Sequence, residues 1–118
     1  KPEDEEQKRL TFAQAATGAS GIETLLSLSL ELYHNGSLKL ETIIKALTSN
    51  PAKILKINKG NLSVGNDADF CIVDINKPWI VKQENLISKS KNTSIENKKL
   101  QGRVTNTFVK GEELFKLN

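Results

Sequence analysis

The hydrophobic period of this sequence changes once, near Gly60, and that change limits what the chain can fold into. Before it, apolar residues recur at helical spacing; after it, they alternate or run together as strands do. The order predicts helices followed by an antiparallel sheet, an α+β pattern, with residues 1–59 as one part and residues 60–118 as the other.

The helical part opens on an acidic, solvated segment, residues 1–9, and a short stretch over residues 10–16. Thr17-Gly18-Ala19-Ser20-Gly21 is then a loop of small residues. From Ile22 the positions Leu25, Leu26, Leu28, Leu30, Leu32 and Tyr33 cover much of a helix circumference, which predicts a helix packed on more than one side. Asn35-Gly36 stops it. A second helix, residues 40–48, places Ile43, Ile44 and Leu47 on one face. Asn50-Pro51 predicts a third start, with Asn as N-cap and Pro at the first helical position, followed by amphipathic Ala52-Lys53-Ile54-Leu55-Lys56-Ile57.

In the second part, Gly60 and Gly65 flank Asn61-Leu62-Ser63-Val64, whose alternation predicts a half-buried strand. Asp67-Ala68-Asp69 leads into an apolar run over residues 70–75, expected to be a strand buried on both faces. Pro78-Trp79-Ile80-Val81 predicts another short strand, and residues 85–99 a polar loop. Residues 102–109 and 112–117 are joined through Lys110-Gly111, a hairpin signal.

A chain of 118 residues is too short for a complete (β/α)₈ barrel, which takes roughly 200 residues or more. No apolar stretch approaches the roughly 20 residues of a membrane-spanning helix. The sequence has no Met and begins Lys1-Pro2-Glu3-Asp4-Glu5-Glu6, which predicts a processed N-terminus or a piece of a longer chain; no signal-peptide pattern is visible. The lone Cys71, in Phe70-Cys71-Ile72-Val73, cannot form an internal disulfide and is expected to be a buried, reduced thiol of a cytoplasmic protein. The Asn-x-Ser triplets at Asn35, Asn61 and Asn92 are accordingly expected to stay unglycosylated.

The net charge of +3 is uneven, with 8 basic and 10 acidic residues up to position 75 and 9 basic and 4 acidic beyond it. Nucleic-acid recognition draws on Arg forks and stacking aromatics, but 15 of the 17 basic residues are Lys and aromatics make up 5%. That argues against a nucleic-acid partner.

The catalytic inventory is short. A hydrolytic metal site needs several converging His, Asp, Glu or Cys ligands, and the sequence has one histidine, His34, at a helix end where its expected place is in solvent. Neither a Ser-His-Asp nor a Cys-His arrangement can be built from His34 and an apolar-strand Cys71. Asp67 and Asp69 fall on one side of a strand start and fit turn and strand-edge caps better than paired acid/base work. Gly18-Ala19-Ser20-Gly21 lacks the Lys-Ser/Thr ending of a phosphate loop. Standing before a long helix, Thr17-Gly18-Ala19-Ser20-Gly21 offers backbone N–H groups to an anion such as a carboxylate, but taken alone it fits a Gly-rich connection needed only for its turn better.

Several blocks carry a resemblance. Phe12-Ala13-Gln14-Ala15-Ala16-Thr17-Gly18-Ala19-Ser20-Gly21-Ile22-Glu23-Thr24 resembles the dihydroorotase segment Phe, two variable residues, Ala-Pro-Phe-Gly, two variable residues, Gly-Leu-Glu-Thr. Leu47-Thr48-Ser49-Asn50-Pro51-Ala52-Lys53-Ile54-Leu55 is similar to that family's Leu-Thr-x-Asn-Pro-Ala-x-x-Leu. Gly60-Asn61-Leu62-Ser63-Val64-Gly65-Asn66-Asp67-Ala68-Asp69 resembles the Gly-x-Leu-x-x-Gly-x-x-Ala-Asp of the wider amidohydrolase superfamily. Ser88-Lys89-Ser90-Lys91-Asn92-Thr93, with Gly102-Arg103-Val104 beyond it, resembles the Ser-Lys-x-x-Asn-Thr-Pro and Gly-x-Val blocks of dihydroorotases. The likeness runs over residues 12–117, with Ala16-Thr17 where the family has Pro-Phe and Ser94 where Pro is usual.

The resemblance implies a zinc-dependent hydrolase that interconverts dihydroorotate and carbamoyl-aspartate in pyrimidine biosynthesis, by attack of a metal-activated hydroxide on a ring amide with an Asp as acid/base. It implies that residues 1–59 supply the last loop and helices of a TIM barrel and residues 60–118 part of a small flanking antiparallel β-domain. The zinc ligands and catalytic Asp are then expected upstream of Lys1. In this chain it implies no catalytic or metal-binding residue, and backbone contact to substrate at Thr17 and Gly18. The implied partners are the rest of the dihydroorotase chain, a second copy in a homodimer and a carbamoyltransferase, with neither membrane nor nucleic acid. Two other classes fit the same residues: a catalytically silent dihydroorotase-like subunit with an assembly role, and a related cyclic amidase such as allantoinase. On every one of these readings the chain by itself is expected to hydrolyse nothing.

Overall fold

The computed structural model describes residues 5–118. A short helix, α1 (Glu5–Lys8), leads into a loop, and α2 (Leu25–His34), α3 (Leu40–Leu47) and α4 (Ser49–Leu55) follow. Three strands come next: β1 (Phe70–Ile80), β2 (Lys99–Val109) and β3 (Glu112–Lys116), with one 3₁₀ turn (Gln83–Asn85) between the first two. They form a single antiparallel sheet in the order β1-β2-β3. The helices-then-sheet order matches the change of period; the expectation for residues 1–4 lies outside the described residues. No helix among the described residues is long and apolar enough to cross a membrane.

The β2–β3 hairpin turns through Lys110 and Gly111, with φ of 51° and 82°. Two consecutive positive φ values are what a tight two-residue hairpin requires, and Gly supplies one without steric cost. Asp69 closes the turn: its Oδ1 accepts the Lys110 N–H at 2.8 Å, while Gly111 N–H donates to the Ala68 carbonyl at 3.0 Å.

The β1–β2 ladder shifts register twice, between Ile72 and Val73 and between Asp74 and Pro78. The second irregularity carries β1 past Pro78, which has no N–H for the ladder, so Pro78, Trp79 and Ile80 continue β1 instead of forming a separate strand. Opposite this stretch lies Gly102, with φ of 95°. A Cβ there would stand 2.3 Å from Leu30 Cδ1, so a larger residue would strain the backbone and push the Leu30 side chain out of its seat. Leu30 is fully buried by the contact, which is worth about 1.5–3 kcal/mol for a leucine side chain.

One turn earlier on α2, buried Ser27 sits on the same spot. Its hydroxyl donates to the Gly102 carbonyl at 2.5 Å and accepts the Trp79 indole N–H at 3.1 Å. The Arg103 guanidinium lies 4.7 Å from the Trp79 ring centroid, and Lys98 pairs with Glu31 of α2 at 2.8 Å. Leu100 and Val81 on the sheet side, Leu86 in the connection after β1, and Ile43 and Ala52 on α3 and α4 complete the buried apolar set among the described residues.

Several expectations are corrected. α2 begins at Leu25, not Ile22, because Gly21 to Thr24 form a turn in which the Gly21 carbonyl takes both the Thr24 and Leu25 N–H. Ile22 stays exposed, as do Leu25 and Leu32, while Ser27 and Leu30 are buried and Leu26 and Leu28 half-buried, and α2 packs against both β2 and α3. α4 starts at Ser49, with Thr48 in the cap position and no side-chain cap, so Asn50 is not the N-cap and Pro51 is the third helical residue. Thr48 Oγ1 instead bonds back to the Ile44 carbonyl, at 2.7 Å. Residues 61–64 are not a strand: Asn61 Oδ1 accepts the Ser63 N–H at 3.1 Å and the Asn66 side-chain amide, a side-chain-closed turn that competes with sheet pairing, and Leu62 and Val64 are exposed. Phe70, Cys71 and Ile72 are exposed too, since α2 covers the other end of the sheet; Cys71 is a free, exposed thiol and not a buried one.

Replacing Gly102 with Ala should destabilise the fold by about 2–3 kcal/mol, from left-handed strain plus displacement of Leu30. In urea unfolding, Gly102→Ala combined with Leu30→Ala should cost less than the sum of the two single changes, because the deleted leucine no longer meets the new methyl. Strict additivity would show that the two residues are not in contact.

Candidate functional site

Two segments far apart in sequence meet at one place, residues 16–24 and residues 86–93. The Glu23 carboxylate accepts the Ile87 N–H at 3.0 Å with one oxygen and the Ser88 N–H at 2.9 Å with the other. Ser20 donates its N–H to the Asn92 carbonyl and its hydroxyl to the Ser90 carbonyl, each at 2.8 Å. Asn92 returns a bond from its side-chain amide to the Gly18 carbonyl, at 3.1 Å. Charge-assisted bonds from backbone N–H to carboxylate are among the stronger kinds, so Glu23 anchors the junction. Lys91 Nζ bonds the Leu86 carbonyl and bridges the ends of the second segment. An open cleft of about 460 Å³ lies between residues 19–24 and 86–88.

The first segment is also held from its N-terminal side. Gln7 accepts the Ala16 N–H at 3.0 Å, and Lys8 Nζ reaches both the Ala16 carbonyl, at 2.8 Å, and the Gly18 carbonyl, at 2.5 Å. Gly18 has φ of 88°, and a Cβ on it would meet nothing within 4 Å; the position demands Gly for its backbone conformation, not for space. No hydrogen bond among the described residues engages the N–H groups of Thr17, Gly18 or Ala19. Carbonyls tied down and N–H groups left free make a short stretch of backbone able to receive an acceptor such as a carboxylate. Because α2 begins only at Leu25, the helix N-terminus does not explain this; the ties at Lys8 and Asn92 do.

The other candidates have structural places. His34 closes α2, exposed, its Nε2 3.0 Å from the Ile75 carbonyl and its ring beside Tyr33. Asp67 and Asp69 share the Lys59 ammonium, at 2.6 and 2.5 Å. The Lys59 hydrogen bond, then the Lys110 N–H, holds the Asp69 carboxyl below the usual carboxylate range, and the hydrogen bonds of Asp67 and then Asp69 raise the Lys59 ammonium. These carboxylates brace the hairpin turn. Among the described residues no group of three or more His, Cys, Asp or Glu side chains could hold a metal ion, so a zinc site does not fit the residues present. Sequence reading passed over Lys8, which sits in a run that looks merely solvated, and treated Asn92 and Glu23 as letters of motifs; the one available signal was that both lie in blocks of the resemblance.

The sequence matches the amidohydrolase family over residues 9–114. The chain belongs to that family. It is 40% identical over 114 residues to a dihydroorotase of a Wolbachia species of Drosophila simulans, covering 97% of this chain and 26% of the relative. It is 42% identical over 108 residues to a dihydroorotase of Syntrophus aciditrophicus, covering 92% and 25%. Among solved structures, L-hydantoinase (dihydropyrimidinase) from Arthrobacter aurescens superposes with a TM-score of 0.83 at 31% identity, over 88% of this chain and 24% of that one. The chain thus spans about a quarter of the length of the curated relatives it matches.

The Asp69 ion pair has a pH signature. A carboxyl with a depressed folded value contributes stability above its ordinary value, about 3.9, and that contribution is lost as pH falls through the depressed value; the raised Lys59 contributes below about 10.4 and loses it as pH rises further. Lys59→Met should move the Asp69 midpoint upward in a ¹³C carboxyl NMR titration and remove the pair's share of acid destabilisation. An unmoved Asp69 midpoint would rule out Lys59 as the cause.

Proposed function

We propose that this chain is the C-terminal portion of a dihydroorotase, and that it supplies the substrate loop of the enzyme. The observation that carries the reading is the junction itself: the two blocks that most resemble dihydroorotases, around Thr17-Gly18 and over residues 88–93, are joined by hydrogen bonds. The relatives at 40% and 42% identity are named dihydroorotases, which supports the same reading. The reaction is reversible opening of a cyclic amide: water adds to the ring carbonyl, the carbon–nitrogen bond breaks, and the ring nitrogen leaves with a proton, turning dihydroorotate into N-carbamoyl-aspartate. The substrate carries a carboxylate, and the free N–H groups of Thr17 and Gly18 are the complementary donors.

Zinc finds no ligand set among the described residues. In this proposal the metal ligands and the acid/base Asp belong to protein outside this chain, and no step of the chemistry is assigned to a side chain here. The last helices of a TIM barrel would be α2 to α4, with the sheet as part of the small flanking domain. The exposed apolar side chains Ile22, Leu25, Ile54 and Leu55 suit that arrangement, because barrel helices cover strands that this chain does not contain. A second reading, a related cyclic amidase, is favoured by the likeness to the Arthrobacter aurescens L-hydantoinase.

The deciding experiment is turnover by the full-length protein that carries this chain, with dihydroorotate, hydantoin and allantoin compared side by side. Preference for dihydroorotate is expected; preference for another cyclic amide would favour the second reading, and no turnover of any would favour a silent subunit. The 118-residue chain alone, with or without added zinc, should hydrolyse none of them. In the full-length enzyme Gly18→Val should raise KM for dihydroorotate about tenfold, since a β-branched residue is strained at positive φ and would re-aim the loop. An unchanged KM would remove Gly18 from the substrate contact.

A further inference from the structure

We propose that Lys8 and Asn92 are positioning residues, which together fix the Gly18 carbonyl and so aim the Thr17-Gly18 backbone at the substrate. The inference rests on the reading of residues 16–21 as the substrate loop and goes beyond it by naming what sets the loop's shape. Gly18, at φ of 88°, belongs to a residue type for which left-handed and right-handed backbone are nearly equal in energy, so its own chain does not choose its conformation. The choice is made from outside. Lys8 Nζ spans the Ala16 carbonyl at 2.8 Å and the Gly18 carbonyl at 2.5 Å, two carbonyls on either side of Thr17. Asn92 approaches from the other segment, donating from Nδ2 to the Gly18 carbonyl at 3.1 Å while its own carbonyl takes the Ser20 N–H at 2.8 Å.

The Gly18 carbonyl therefore carries two donors, one cationic, and the Ala16–Thr17 and Gly18–Ala19 peptide planes are each pinned through their oxygen. A pinned carbonyl fixes its plane, and with it the N–H of the following residue: Ala16 O sets Thr17 N–H, Gly18 O sets Ala19 N–H, and the Gly18 N–H lies in the one peptide held between these two planes. Where the family pattern has Pro-Phe this chain has Ala16-Thr17, which removes the ring that would stiffen the loop from within. The Lys8 bridge supplies from outside the constraint that the missing proline would have given. The Lys8 ammonium, on the carbonyl side of the loop, also leaves the peptide dipoles between it and the N–H side oriented to favour an anion there. Neither residue is assigned contact with the reacting atoms.

The test uses the full-length enzyme with three variants, Lys8→Met, Lys8→Arg and Asn92→Asp. Lys8→Met keeps length and removes the donors; Asn92→Asp keeps shape and faces the Gly18 carbonyl with a carboxylate oxygen. Each should raise KM for dihydroorotate about five- to tenfold with kcat within about twofold, as expected when one hydrogen bond that orders a binding group is lost. Lys8→Arg, which retains donors, should recover most of the wild-type KM. Because both act on one carbonyl, Lys8→Met with Asn92→Asp should be less damaging than the product of the single effects. Unchanged KM in both single variants of an active enzyme would overturn the inference and leave the functional reading intact. So would equal falls in activity and melting temperature with no KM change, which mark a merely structural role. An unaltered protein inert toward both dihydroorotate and carbamoyl-aspartate would remove the functional reading, and the inference with it.

Discussion

The approach of Leu30 to Gly102 sets the geometry of the chain. A helix lies against a sheet at a distance fixed by the side chains between them, and at Gly102 one of those side chains is missing. Leu30 fills the gap, and Ser27 beside it links the Gly102 carbonyl to the Trp79 indole, so that α2, β1 and β2 share one buried point. The polar atoms there are satisfied by one another, which makes the seat specific as well as apolar. Everything else that α2 touches follows from this seat, including the Glu31–Lys98 pair and the placement of His34 against Ile75.

That seat also positions the candidate site. With α2 fixed by its middle, its N-terminal end delivers residues 16–24 to the segment that connects β1 to β2. Glu23, one residue before the helix cap, locks the connection through two N–H groups, and Ser20 and Asn92 extend it toward Gly18. The loop has neither helix nor strand of its own, yet eight hydrogen bonds involving Lys8, Gln7, Glu23, Ser20 and Asn92 define it. Rigid placement of backbone without regular structure is what the proposed binding role of this loop would require.

Much of this was legible in the sequence. The change of period near Gly60 gave the helix-then-sheet order, Lys110-Gly111 the hairpin, and Ile43 and Leu47 the covered side of α3, although Ile44, expected on the same face, is exposed. What failed did so for physical reasons that a single sequence does not display. Leu62 and Val64 alternate like a strand, but Asn61 and Asn66 close a turn with their side chains. Cys71 and Ile72 lie in an apolar run, but α2 is seated at the far end of the sheet. Ile22 continues the apolar pattern of α2, but the Gly21 carbonyl bends the chain before the helix can start. The ties at the loop were hidden more deeply, since Asn92 is 74 residues from Gly18 and no local pattern announces a contact of that separation.

The two ties on Gly18 differ in a way that bears on the order of assembly. Lys8 is 10 residues away and closes a small loop; Asn92 is 74 away, and reaching it requires the chain between them to be in place. Closing a loop costs more entropy as it lengthens, and distant contacts form late. The local half of the clamp can therefore exist in a nascent chain, while the distant half is made only once β1 and its following segment have docked on α2. The settled shape of the Thr17-Gly18 loop is in this sense a report of completed folding: a chain that stalls before its sheet has formed presents a loop with one hand on it and no settled aim.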